Sequence, residues 1–346
     1  MKILCFLKLF IHKNKAGAEA YLHRLLLGIQ KKYPECKINV VIPNSEETQE
    51  FNVDNIQIFE TTENSEICLN YIDSCDLLIT QLNYLEISTN YALKINKPVI
   101  NIYHGFLEKQ FDIFIKNDNI LKLFNSQNVY KNYKKYLKYD ITNYCIINPY
   151  IDYNKYNEHF NNIEDREYIT FVNPLKNKGC DVVVELAKHY RNKKFLIVKG
   201  GYQKEYQDLK SFRNLSNCHI INNTDDMINN VYLKSKIVLM PSRYESYGMV
   251  SAEAQALGIP VICNEYAEGL KENNGKLNLY GKTYDKVNNK NIKSYIDKID
   301  ILDHKESYIL WSDYVMNYRK KQCEKQVIQQ EEFIDNIEDF IDFLKK

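Results

Sequence analysis

Pro241-Ser-Arg-Tyr-Glu245-Ser-Tyr-Gly248-Met-Val-Ser-Ala-Glu253-Ala-Gln-Ala-Leu-Gly258-Ile-Pro-Val261 holds two glutamates with seven residues between them. The run before it, Lys236-Ile-Val-Leu-Met240, is short, apolar and β-prone, and Pro241 ends it. Good helix formers fill Gly248 to Leu257 and stop at Gly258 and Pro260. A second apolar run, Pro260-Val-Ile-Cys263, reads as the next parallel strand. The order is therefore strand, polar loop with Glu245, helix with Glu253, strand. In such a unit the free N–H groups of the helix face the carboxyl edge of the sheet, where anions bind. One carboxylate can then reach sugar hydroxyls and the other a ribose, while amides between them hold phosphate. Those groups suit a nucleotide sugar.

Beyond the two glutamates, the stretch carries Pro-Ser before Glu245, Gly248 after it, and Glu-Ala-x-Ala-x-Gly-x-Pro-Val from Glu253 onward. It resembles the GT-B glycosyltransferases of family 4, whose signature is Glu-x7-Glu in this frame. The likeness is dense over about residues 236–272 and includes Gly269-Leu-Lys-Glu272 at the family's Gly-x-x-Glu turn. It implies that Glu245 contacts the donor sugar and Glu253 the ribose. Backbone around Ser246, Tyr247, Gly248 and Met249 would hold the diphosphate.

Three further segments fit the same expectation. Phe171-Val-Asn-Pro-Leu-Lys-Asn-Lys178-Gly179 follows a strand and opens a helix, a place where Lys178 can neutralise a diphosphate. Family members commonly have Gly-Arg-Leu here; Asn173-Pro174-Leu175 resembles the Asn-Pro…Lys-Gly variant and puts Pro174 where the arginine would be. Lys15-Ala-Gly17-Ala-Glu19 follows the first strand, and Gly17 would let backbone approach the donor closely. It resembles the family's Gly-Gly-Ala-Glu turn with Ala16 for the first glycine. Tyr103-His104-Gly105 ends a strand, and the resemblance gives His104 a contact with the donor sugar or the acceptor hydroxyl.

A chain of 346 residues is long for one core and suits two domains. Strand-like and helix-like segments alternate, which signals an α/β fold with mostly parallel sheets. Strands are expected at 2–10, 37–42, 56–60, 76–80, 98–103, 120–124 and 144–147, with helical windows at 17–32, 84–95 and 126–138. After a polar, Asn-rich stretch to about 165, strands follow at 168–172, 195–199, 218–221, 236–240 and 260–263. Helices are expected there at 180–190, 225–234 and 248–257. The expected architecture is GT-B: two Rossmann-like domains, 1–150 on the acceptor side and 151–325 for the nucleotide sugar, with a cleft between them. Phe333, Ile337, Phe340, Ile341 and Leu344 at helical spacing make 326–346 a helix crossing back to the first domain.

Composition excludes other classes. The net charge of +1 gives no electrostatic case for nucleic acid. Nine cysteines without a Cys-x-x-Cys pair argue against a disulfide framework or zinc site and for a reducing compartment. The apolar start is broken by Lys8 and followed by His12, Lys13 and Lys15, so it reads as a buried strand and not as a signal peptide. A cytoplasmic enzyme is expected, with peripheral contact to an anionic membrane through His23, Arg24, Lys31 and Lys32 as an option.

The resulting expectation is a retaining hexosyltransferase that needs no metal or cofactor. The absence of an Asp-x-Asp at a strand end is the ground for the first. Its donor would be a UDP-sugar, or a GDP-sugar, and its acceptor a hydroxyl of a glycan or lipid-linked glycan. Closure over a hinge near 148–165 would exclude water. A nucleotide-sugar epimerase and a sugar-nucleotide-binding module without activity stand as alternatives.

Overall fold

The computed structural model describes every residue except 14–15, 44–46, 63–64, 106–110, 160–164, 201–208, 275–278 and 346, and also leaves out the side chains of 65–67, 340 and 343–345. Lys15 of the first turn, the 160–164 part of the expected hinge, and the side chains of Phe340 and Leu344 thus lie outside the described residues. By internal contacts the chain forms two compact units, Met1–Tyr150 with Gln326–Lys346, and Ile151–Lys325.

The first unit is built on eight strands: β1 Lys2–Phe6, β2 Lys37–Pro43, β3 Gln49–Val53, β4 Ile56–Thr61, β5 Leu77–Gln81, β6 Val99–Tyr103, β7 Ile120–Phe124 and β8 Tyr144–Ile146. They lie in the order β3-β4-β2-β1-β5-β6-β7-β8, parallel except for β3. Near-continuous apolar runs such as Leu77–Thr80 are what a sheet covered on both faces requires. Helix Gly17–Lys32 lays Leu22, Leu25, Leu26 and Ile29 on β1 and β2 residues Ile3, Cys5 and Val40. Ile334, Ile337 and Ile341 of the terminal segment join the same core, and the Tyr33 hydroxyl donates to the Ile334 carbonyl at 3.2 Å. Each such isoleucine contributes about 1.5–3 kcal/mol by burial.

The second unit holds six parallel strands: β9 Tyr168–Val172, β10 Lys194–Val198, β11 Cys218–Ile221, β12 Ser235–Met240, β13 Val261–Asn264 and β14 Tyr280–Gly281. Their order is β11-β10-β9-β12-β13-β14. From β9 the chain winds outward to β10 and β11, then returns to place β12 on the opposite side of β9. The carboxyl ends of β9 and β12 therefore flank a topological switch point, where open α/β sheets bind ligands.

Several expectations were off. The first strand stops at Phe6 instead of residue 10. The expected helix 225–234 is two pieces: Asp226 caps Met227–Asn230, Val231 departs from helical geometry (φ −125°, ψ −66°), and Tyr232–Lys234 forms a 3-10 turn. β3 and helices Ser65–Asp73, Glu268–Asn274 and Asn289–Asp303 were not foreseen, and the expected terminal helix 326–346 is the end of a longer helix, Lys305–Asp335, followed by a second, Ile337–Lys345.

Candidate functional site

Two loops meet at the switch point of the second unit. The loop leaving β9 turns at Asn173, which adopts the left-handed region (φ 62°) that asparagine tolerates better than most side chains. Its N–H donates to the Val198 carbonyl at 2.8 Å, and its own carbonyl accepts from Leu175 N at 2.7 Å. A 3-10 turn, Lys176–Lys178, then leads through Gly179 (φ 82°) into helix Cys180–His189. A Cβ on Gly179 would stand well under 3 Å from the Pro241 carbonyl on the loop leaving β12. Glycine is what lets the two loops touch.

Lys178 Nζ donates to Glu245 Oε1 at 2.7 Å, and the Ser242 hydroxyl donates to the same oxygen at 2.9 Å. Glu245 is only 8% exposed, and these charge-assisted bonds satisfy that oxygen. An ammonium has three N–H bonds, and this contact uses one of them.

Arg243 clamps the loops. Its guanidinium meets Asp181 in a two-bond fork (Nη1–Oδ1 3.0 Å, Nη2–Oδ2 2.7 Å). It also donates to the carbonyls of Lys176 (2.6 Å) and Tyr284 (3.1 Å), while its backbone N–H donates to Asn177 O at 2.9 Å. Arg243 is thus engaged with protein groups of both loops.

Gly248 (φ 91°) precedes helix Met249–Ala256, where any residue with a Cβ would drive into the Leu270 side chain. Ser246 is half-buried, and the Tyr247 side chain is packed in the core. Gly269 sits so close to the Glu245 and Ser246 carbonyls that a Cβ there would fall well under 3 Å from both. Asn264, at the end of β13, donates to the Ser242 carbonyl at 2.9 Å and accepts from Thr283 N at 2.9 Å, pinning the loop below Glu245. Glu253 lies on the helix, and the buried Tyr232 hydroxyl donates to its Oε2 at 2.8 Å.

Of the expected residues, Lys178, Asn173, Glu245, Ser246, Tyr247, Gly248, Met249 and Glu253 belong to this unit, and Lys178 and Glu245 are in direct contact. Gly17 and His104 belong to the first unit. Gly17 is exposed, opens helix Gly17–Lys32, and is not among the residues with positive φ. His104 follows β6; its Nε2 lies 2.6 Å from Gln81 Oε1, and Tyr21 packs edge-on against its ring at 5.2 Å. Enclosure by protein lowers its pKa to about 3, so the ring is neutral at physiological pH. A neutral imidazole donating from Nε2 to Gln81 keeps Nδ1 as an acceptor.

Of the basic residues on the first helix, His23 stands 3.0 Å from Asp54, Arg24 donates to Tyr150 O at 2.7 Å, and Lys32 pairs with Asp335 at 2.7 Å. No helix among the described residues is long and apolar enough to cross a membrane.

Residues 152–309 match the family model "Glycosyl transferases group 1". The match falls wholly within the second unit. The whole chain has the fold of solved GT-B glycosyltransferases. A glycosyltransferase from Rickettsia africae is 15% identical with a TM-score of 0.74, covering 97% of this chain and 98% of that one. Anabaena Alr3699/HepE, solved in complex with UDP-glucose, is 14% identical with a TM-score of 0.75 over 97% and 98%. A third, the E. coli trehalose-6-phosphate protein bound with UDP-2-fluoro glucose, is 12% identical with a TM-score of 0.70, covering 100% and 99%. At these identities the likeness concerns the fold. An uncharacterized 41.2 kDa protein in the cps region of Klebsiella pneumoniae is 50% identical over 36 residues, a tenth of either chain.

Sequence reasoning missed Asp181, Arg243, Tyr232, Asn264 and Asn273. Their partners named above lie 19 to 67 residues away, so no local pattern marks them.

Proposed function

We propose that the chain is a retaining glycosyltransferase that moves a hexosyl group from a nucleoside-diphosphate sugar, with UDP as the favoured carrier, to a hydroxyl of a glycan or lipid-linked glycan. The observation that carries this is the Lys178–Glu245 contact beside the N-terminus of helix Met249–Ala256, at the switch point of the unit that matches the group 1 glycosyl transferase model. UDP-glucose and UDP in solved relatives of the same fold favour uridine. The short match to a protein of a cps region favours a surface polysaccharide as the product's destination.

As the bond between the anomeric carbon and the diphosphate breaks, negative charge grows on the leaving oxygen. The Lys178 ammonium and the free amides at Gly248–Met249 meet that charge in preorganised form. Glu245, held by Ser242 and Lys178, hydrogen-bonds sugar hydroxyls. Glu253, oriented through Oε2 by Tyr232, hydrogen-bonds the ribose. Neutral His104 accepts or donates a hydrogen bond to a hydroxyl without adding charge. The acceptor attacks from the face the diphosphate leaves, as the resemblance to family 4 implies, and no metal is required.

The test is a screen of UDP- and GDP-hexoses with glycan acceptors, read by nucleotide release and by the anomeric proton coupling of the product. Transfer with the donor's configuration kept supports the proposal. Conversion of donor without acceptor, or no turnover with any nucleotide sugar, refutes it.

A further inference from the structure

Arg319 lies on helix Lys305–Asp335, in the part belonging to the second unit, and its side chain is fully buried. Nη2 donates to Gln255 Oε1 at 2.7 Å, to the Asn273 carbonyl at 2.9 Å and to Asn273 Oδ1. Those acceptors are all neutral, the Tyr247 hydroxyl also lies against the guanidinium, and Nε and Nη1 are buried without an aligned acceptor among the described residues. A buried cation whose hydrogen-bond acceptors are neutral is costly, so packing alone is a poor reason for it.

Its contacts lead to the candidate phosphate site. Asn273 Nδ2 donates to the Gly248 carbonyl at 2.7 Å, the group that also accepts from Ser251 N at 3.0 Å to start helix Met249–Ala256. Gln255 belongs to the same helix and reaches Asn274 Oδ1 at 2.6 Å, as does the Ser251 hydroxyl. Arg319 therefore holds the helix near its end through Gln255 and at its start through Asn273, and supplies positive potential to both.

We propose that Arg319 is a positioning residue for the donor diphosphate: through Asn273 it fixes the amides of Gly248 and Met249, and its charge favours an anion at that end of the helix. This deepens the donor-site reading and rests on it. The test is titration of the full chain with UDP and with uridine, for wild type, Arg319→Lys and Asn273→Asp. Asn273→Asp loses the donor to Gly248 while Arg319 neutralises the new charge, so it keeps the core if the arginine variant unfolds. Expected is a UDP Kd raised about tenfold, equivalent to about 1.4 kcal/mol, with uridine affinity unchanged. Equal weakening of both ligands shows a general structural role and overturns the inference. Unchanged UDP affinity in a folded variant also overturns it. Wild type that binds no nucleoside diphosphate brings down the donor-site reading itself.

Discussion

Lys178 and Glu245, 67 residues apart in sequence, are joined by a 2.7 Å bond across the carboxyl ends of β9 and β12. The sequence assigns one to phosphate and the other to sugar; their contact makes them one device, with the ammonium orienting the carboxylate. Lys178→Met or Glu245→Gln should lower transfer by about 10²–10³, the loss typical of removing one preorganised electrostatic partner. Far-UV circular dichroism should stay unchanged, because both lie at a loop edge. Wild-type turnover in either variant contradicts the assignment.

Glu253 and Tyr232 give a ribose test. Glu253→Ala should weaken UDP binding about tenfold, near the worth of one charge-assisted bond. Tyr232→Phe should cost a few-fold by freeing Oε2. Neither should affect 2′,3′-dideoxy-UDP. Calorimetry showing equal losses for both nucleotides would remove Glu253 from the ribose site.

Glycines at the loop contact are a stability test. Gly179→Ala combines a left-handed backbone with a collision against the Pro241 carbonyl, and Gly269→Ala collides with two carbonyls. Backbone cannot retreat as a flexible side chain can, so each should cost more than about 2 kcal/mol in urea unfolding. Gly28→Ala meets only the ends of Gln330 and Ile334, and should cost less.

His104 predicts a pH dependence. Its folded pKa, about 3, lies below the ordinary value of 6.5. Between those values the unfolded chain binds a proton that the folded chain does not, so stability falls as pH falls through that window. Part of the residue reaches solvent, which limits the effect to about 1 kcal/mol between pH 7 and 5. His104→Gln should flatten that portion of the curve; an identical slope would show that another group carries it.

How much was legible follows from where the signals lie. The β12–loop–helix–β13 unit was readable because an apolar run, Pro241, Gly248 and Gly258 punctuate one continuous stretch. The clamp between Arg243 and Asp181, and the reach of Arg319 to Asn273, were not, since a polar residue in sequence does not announce a partner 46 or 62 residues away. β3 had a local cue that went unread: Asp54 and Asn55, both at positive φ, form the two-residue turn that pairs Val53 with Ile56. Its polar Gln49-Glu50 start suits an exposed edge and hides the strand. The expected helix 225–234 failed because propensity cannot see that Val231 breaks its geometry.

The most direct test of the central claim is a crystal structure of the chain with UDP. Density for the diphosphate against Lys178 Nζ and the amides of Gly248 and Met249, with the ribose on Glu253, is the expected result. Nucleotide bound elsewhere, or that helix N-terminus left without phosphate at saturating UDP, would contradict it.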